Sequence, residues 1–215
     1  MAKILITGGA GFIGSHYLNY VIDNDNQYVC IDCLSYAGNL DNIKGCLNKP
    51  NFKLIKEDIC NEENIDKIFK EEKFDYVIHF AAETHVDNSI DNYDLFYRTN
   101  VIGTKVLLDA SVKYGVKRFH HISTDEVYGS LDLDSNDIFT ENSKLNPTNN
   151  YSKTKKEATL SDCFLRCGRD SNPRPALCVF ASSRCPNTTK KRCTLHLLLA
   201  VRTGLEPATP CVTGM

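Results

Sequence analysis

The run Lys3-Ile4-Leu5-Ile6-Thr7-Gly8-Gly9-Ala10-Gly11-Phe12-Ile13-Gly14-Ser15 sets the reading of the whole chain. Lys3 to Thr7 is a short apolar run ending in a turn, which suits a strand buried in a parallel sheet. Gly8, Gly11 and Gly14 then recur at every third position. One glycine permits the tight turn, the next lets backbone N–H groups approach a pyrophosphate, and the third lets the following helix pack close to the strand. Phosphates would sit at that helix's N-terminus, where free N–H groups and the dipole favour anions. The helix is expected to continue through Tyr17, Leu18, Tyr20, Val21 and Ile22, and the next strand, Tyr28–Ile31, ends in Asp32. An acid there suits the ribose hydroxyls of NAD, and its charge repels the 2′-phosphate of NADP. The glycine spacing alone is a weak signal. Strand, loop, helix, strand and acid in this order make it a specific one.

Outward from this unit the pattern repeats. Phe52–Ile55 reads as a third strand, and Asp58 and Ile59 beyond it are placed to reach the adenine end of a dinucleotide. Glu62 to Glu72 has the spacing of an amphipathic helix with Ile65, Ile68 and Phe69 inward. Phe74–Phe80 is a fourth strand opening into Ala81-Ala82-Glu83-Thr84-His85-Val86-Asp87, where the small Ala81 and Ala82 admit a cofactor. His85 and Asp87 read as ordinary hydrogen-bonded loop residues. One long helix is expected from about Tyr93 to Tyr114. On it Asn100 is polar among apolar neighbours, either holding backbone or water near the site or simply exposed. Alternating strands and helices predict an α/β fold: a doubly wound parallel sheet of at least five strands, the first one central. In such sheets the ligand lies beyond the C-terminal strand ends, where the glycine loop, Asp32, Asp58, Ala81–Thr84 and Thr124–Glu126 should converge.

The reacting groups are expected in His121-Ile122-Ser123-Thr124-Asp125-Glu126-Val127-Tyr128-Gly129, which follows an apolar strand containing Val116, Phe119 and Ile122. Further on, Tyr151 and Lys155 are four apart and share one face of a helix. A Thr, two carboxylates, a Tyr and a Lys suffice for hydride and proton transfer on a sugar. A free phenol has a pKa of about 10. A Lys ammonium and the positive nicotinamide beside Tyr151 are expected to lower it. A Tyr-x-x-x-Lys pair by itself is common on helix surfaces, so its weight comes from the glycine motif and Thr124.

Residues 1–158 resemble the N-terminal, NAD-binding Rossmann lobe of the extended short-chain dehydrogenases/reductases, and more closely the dTDP-glucose 4,6-dehydratase family within them. The resemblance is carried by Thr7–Ser15, by Leu34-Ser35-Tyr36-Ala37-Gly38-Asn39-Leu40, by Ala81–Asp87 and by Ser123–Gly129. The Asp125-Glu126 pair separates this family from the sugar-nucleotide epimerases, which usually lack it. The resemblance implies NAD held by Gly8, Gly11, Phe12, Ile13, Gly14, Asp32, Asp58, Ile59, Ala81, Ala82, Tyr151 and Lys155. It implies a nucleotide-sugar substrate held by Thr84 and Thr124. Tyr151 with Lys155 and Thr124 would oxidise the sugar at C4, Glu126 would remove the C5 proton, and Asp125 would protonate the departing C6 hydroxyl. Such lyases recycle their NAD. The resemblance also implies a homodimer.

The remainder, 159–215, reads as different material. Residues 1–159 hold fifteen Lys and two Arg, whereas 160–215 hold two Lys and six Arg, with six of the ten Cys and five of the seven Pro. Those Cys, with His196, lack a C-x-x-C pair, so no metal site is expected. Cys30 and Cys33 do have that spacing but no second ligand pair nearby, and read as reduced thiols. The family's second, substrate-gripping lobe is not recognisable, so a truncated and inactive member of that family is expected; the alternatives are a remnant that at most binds a dinucleotide, or a related sugar-nucleotide epimerase or decarboxylase. One nucleotide string, TCGAACCCGCGACC, encodes Ser171–Pro175 in one frame and, preceded by C, Leu205–Thr209 in another. Our hypothesis is that this part is translated non-coding DNA, with tRNA genes read antisense; a gene sequence without them after codon 160 would end the idea. Apolar runs at Ala176–Ala181 and Leu195–Val201 are interrupted by Pro, Arg and polar residues, so most of the tail is expected to lack a packed fold. The net charge of −2 gives no sign of nucleic-acid or anionic-membrane binding. Met1-Ala2-Lys3 leads straight into a strand, and no run is long enough to span a bilayer, so a cytoplasmic protein is expected.

Overall fold

A computed structural model describes residues 1–131, 138–140 and 143–167, with side chains described to residue 160. The expectations for the tail beyond 167, including the apolar runs at Ala176–Ala181 and Leu195–Val201, lie outside the described residues. Five strands, β1 (Lys3–Thr7), β2 (Gln27–Asp32), β3 (Phe52–Lys56), β4 (Tyr76–His79) and β5 (Arg118–His121), form one sheet in the order β3-β2-β1-β4-β5. All pairings are parallel, and the first strand is central, as the alternating pattern predicts.

Side-chain alternation along each strand divides the core between the two sheet faces. Leu5, Val29, Ile31, Val77 and Phe119 point to one face. There they meet Ile65 and Phe69 of helix α2 (Glu62–Glu72) and Leu107 and Leu108 of helix α5 (Thr104–Lys113). Ile4, Ile6 and Tyr28 point to the other and meet Leu18 of helix α1 (Phe12–Val21) with Ile22, Ile43 and Cys46. Helix α2 carries its own boundary signals. The Asn61 side chain accepts from the Asn64 N–H, Glu62 and Glu63 sit in the first turn, and Lys73 closes it in the left-handed conformation at φ 54°.

The expected long helix from Tyr93 is not one regular α-helix. Helix α3 (Val86–Asp91) precedes it, α4 covers Tyr93–Tyr97, Arg98–Gly103 forms a π-helical stretch, and α5 follows. A wider turn alters the apolar period over only a few residues, too few for the pattern to register. Helix α6 (Asn150–Cys167) packs against α5 and the turn after β5 and runs without a break past residue 158.

Two histidines lie in the core beneath the strand ends. The Thr104 hydroxyl donates to the Asn100 carbonyl at 2.6 Å, so it accepts from His79 Nε2–H at 2.9 Å. His79 Nδ1 is therefore the acceptor for Thr7 Oγ1–H at 2.7 Å, which assigns a neutral ring. His121 lies 5.2 Å away, centroid to centroid, with neither ring nitrogen partnered. Burial, and after it the Lys155 charge, lowers His79 to about 3 and His121 well below its usual value. Below pH ~6.5 the unfolded chain takes up protons that the folded chain refuses, so stability falls with pH. By pH 5 each ring should cost about 2 kcal/mol. Asp66 and Asp75, held low by Lys113 and Lys117, titrate below this window. Urea unfolding at pH 7 and pH 5 reads the loss. His121→Phe should halve the pH dependence and add about 1–3 kcal/mol at pH 7, because it removes two unsatisfied buried nitrogens. An unchanged slope in that variant would show that His121 is not the titrating group.

Candidate active site

A cleft of about 580 Å³ opens at the C-terminal ends of the strands. The loop after β1 forms its floor. Gly8 has φ +70°, and a Cβ there would lie 2.6 Å from the Ala81 backbone nitrogen, so only glycine lets the loops after β1 and β4 approach so closely. Asp32 closes one wall. Its two oxygens accept from the Ala10 and Leu34 N–H groups, each at 2.8 Å, so it braces the glycine loop as well as facing the cleft. The Asp58 carboxylate, beyond β3, pairs with Arg98 at 2.8 Å across the rim. Cys30 and Cys33 are free thiols, with Cys33 on the cleft wall.

The far end is built by β4, β5 and α6. Asn100, buried on the π-helical stretch, accepts from Glu83 N–H at 2.8 Å. It donates to the Glu83 carbonyl and to Thr154 Oγ1, both at 3.0 Å. That resolves its open reading: it holds backbone, and it ties the Ala81–Thr84 loop to the helix carrying Tyr151. Thr124 caps a 3₁₀ turn, Asp125–Tyr128, accepting from Glu126 N–H and donating to Asp125 Oδ1, both at 3.3 Å. Tyr151 and Lys155 are both buried. Lys155 Nζ donates to the Ile122 carbonyl at 2.8 Å, and burial lowers the amine to about 7.

The expected lowering of the Tyr151 phenol is not found in the chain by itself. Burial raises it to about 12, the Thr124 hydrogen bond opposes this, and Glu126 and Asp125 add to it. Burial disfavours phenolate, and the Lys155 amine points at a carbonyl, so no cation offsets the loss of water.

Gly8, Gly11, Phe12, Ile13, Gly14, Asp32, Asp58, Ile59, Ala81, Ala82, Thr84, Thr124, Tyr151 and Lys155 all line the cleft. Asp125 and Glu126 stand outside the lining, on the turn next to Thr124. Ser35, Gly38, Leu95, Arg98 and Thr99 line it too and were not picked out as site residues from the sequence. Arg98 and Thr99 had no motif to mark them; they reach the cleft rim from the π-helical stretch, where Arg98 meets Asp58. Ser35 and Gly38 stood inside a stretch already quoted for its family likeness.

Residues 5–165 match the family described as GDP-mannose 4,6 dehydratase, three quarters of the chain. The chain belongs to that family. It is 44% identical over 166 residues to a dTDP-D-glucose 4,6-dehydratase of Dictyostelium discoideum, covering 73% of this chain and 38% of that one. The dTDP-glucose 4,6-dehydratase DesIV of Streptomyces venezuelae, solved with NAD bound, superposes with TM-score 0.70 at 36% identity, over 82% of this chain and 53% of that one. A UDP-Glc/GlcNAc 4-epimerase of Campylobacter jejuni superposes equally well, at TM-score 0.71 and 32% identity over 83% and 52%. The backbone therefore does not separate a dehydratase from an epimerase; only side chains can. This dehydratase-family chain spans about half the length, or less, of the curated relatives it matches. Among the described residues no helix is long and apolar enough to cross a membrane. Nor does any cluster of His, Cys, Asp and Glu suit a metal among them.

Proposed function

We propose that this chain is the NAD-binding part of a nucleotide-sugar 4,6-dehydratase that converts dTDP-glucose to its 4-keto-6-deoxy product. The observation that carries this reading is the Thr124-Asp125-Glu126 turn beside buried Tyr151, at the end of a cleft floored by the glycine loop. The close approach at Gly8 leaves a cradle of backbone suited to a pyrophosphate, and Asp32 keeps lone pairs for ribose hydroxyls beyond its two backbone bonds. Those features, with the relatives' names, support NAD as the cofactor.

Bound NAD supplies a hydride acceptor and later donor, and its cationic ring the positive charge that Tyr151 lacks. Tyr151 Oη takes the proton from the C4 hydroxyl, with Thr124 Oγ1 orienting that oxygen. The resulting carbonyl acidifies the C5 proton, which a Glu126 oxygen removes. Asp125 gives a proton to the C6 hydroxyl as it leaves as water. The paired carboxylates are what an epimerase does not need, and they favour the dehydratase over that second reading. The same reading carries a cytoplasmic location and the homodimer implied by the family.

Asp32→Ala tests the cofactor assignment. NAD affinity should fall about tenfold or more, and the preference for NAD over NADP should shrink, since a 2′-phosphate would no longer meet a carboxylate. Calorimetric titration with both nucleotides measures this. An unchanged preference would remove Asp32 from the ribose site.

A further inference from the structure

Asn149 stands one residue ahead of α6 and is bonded in two directions. Its Oδ1 accepts from Ser152 N–H at 2.7 Å, and its carbonyl accepts from Lys153 N–H at 3.0 Å, which caps the helix that carries Tyr151 and Lys155. Its Nδ2 donates to Glu126 Oε2 at 2.6 Å, across 23 positions of sequence. The contact is seated in a packed junction. Asn146 N–H donates to the Val127 carbonyl at 3.0 Å, and a Cβ on Gly129 would fall 2.6 Å from the Asn146 oxygen. The segment before α6 and the turn after β5 thus touch along their backbones, and one planar amide joins their functional ends.

We infer that Asn149 is a positioning residue that fixes Glu126 in the same frame as Tyr151 and Lys155. This rests on the dehydratase reading, in which Tyr151 addresses the hydroxyl on C4 and Glu126 the proton on the adjacent carbon C5. Groups that act on neighbouring atoms must be held to within ~0.5 Å of each other's required placement. An error of about 1 Å can cost a hundredfold in rate. Tyr151 and Glu126 come from separate elements, so sequence adjacency does not align them. Asparagine suits the join because one end of its amide accepts and the other donates. Serine would keep the cap and lose the reach to Glu126. Aspartate would keep the cap and set a carboxylate against Glu126.

The test is a cycle on the whole 215-residue chain. Asn149→Asp should raise the unfolding constant about tenfold in the natural background, because two carboxylates then face each other. With Glu126→Gln the donor and acceptor are exchanged, the bond re-forms, and the penalty should shrink to about twofold or less. If Asn149→Asp does not fold alone, its recovery in the Glu126→Gln background is itself the rescue. Asn149→Ser is the second arm, and its cost should vanish with Glu126→Ala. The Asn149 side-chain amide resonance should also move in Glu126→Ala, a signature that a plain helix cap lacks. Equal penalties in both backgrounds, or an unmoved resonance, would overturn the inference. NAD titration keeps the two claims apart. Coupling without NAD binding strikes the dehydratase reading, and NAD binding without coupling strikes this inference alone.

Discussion

Incubated with NAD and dTDP-glucose, the purified 215-residue chain should bind NAD and form no measurable 4-keto-6-deoxy product. The obstacle is not the local chemistry. Lys155 is anchored on the Ile122 carbonyl, Glu126 on Asn149, and Ser152, Thr154 and Ala158 of α6 are buried, so the helix that carries Tyr151 is packed in place. Oxidation at C4 requires the sugar carbon about 3–3.5 Å from its reacting partner. Binding energy from remote parts of a substrate normally provides that placement. The relatives carry as much chain again as this one matches, and among the described residues the cleft's far end is lined by Thr84, Thr124, Tyr151 and their neighbours. A sugar held only by Thr84, Thr124 and Tyr151 would sample many poses, so the rate should lie at least about a hundredfold below that of a full-length relative. Grafting a relative's C-terminal portion after Ala158 should recover it. The assay is product formation followed by mass spectrometry with NAD binding measured in parallel. Robust turnover by the unmodified chain would mean that its own last residues or a second copy grip the nucleotide.

Gly14→Ala should cost about a hundredfold or more in NAD affinity. A methyl on Gly14 would press on the Gly8 carbonyl oxygen and come within 3.0 Å of the Gly8 carbonyl carbon and the Gly9 Cα. All three are backbone atoms of one tight loop, so no side chain can swing aside. Either α1 moves away from the strand or the loop opens, and both displace the N–H groups expected to meet the phosphates. Overpacking of this kind also costs about 1–3 kcal/mol of stability. Gly115→Ala separates the two effects. Gly115 has φ +72° with nothing within 4 Å of the added carbon, so it should lose about 1–2 kcal/mol to backbone strain and leave NAD affinity unchanged. Calorimetric titration and thermal unfolding of both variants check this. Equal NAD loss in both would point to general destabilisation instead of the loop.

A doubly wound parallel sheet with its first strand central was legible in the sequence because its signals are local. Five apolar runs spaced by helical periods, with Gly8–Gly14 after the first and Asp32 after the second, leave few ways to wind a parallel sheet, and β1 lies at its centre. The same locality made the cleft legible. Residues that follow strands must gather at one sheet edge, and the candidates from Gly8 to Lys155 do line one cavity, apart from Asp125 and Glu126 beside it.

Only the tertiary structure decided how those side chains are held. Asn149 meets Glu126 across 23 positions, Arg98 meets Asp58 across 40, and Asn100 meets Thr154 across 54. No periodicity reports such pairs, since each depends on how separate elements pack. The π-helical stretch that carries Arg98 and Asn100 was hidden for another reason: it shifts the apolar period over only six residues. The direction of Lys155 was hidden too. Spacing put it on one helix face with Tyr151, but the carbonyl of Ile122 captured its ammonium, and burial then raised the phenol and lowered the amine relative to a water-exposed pair. Sequence fixes which groups can meet, through local propensity and strand ends. Desolvation and hydrogen-bond competition, which exist only once the chain is packed, set what those groups are.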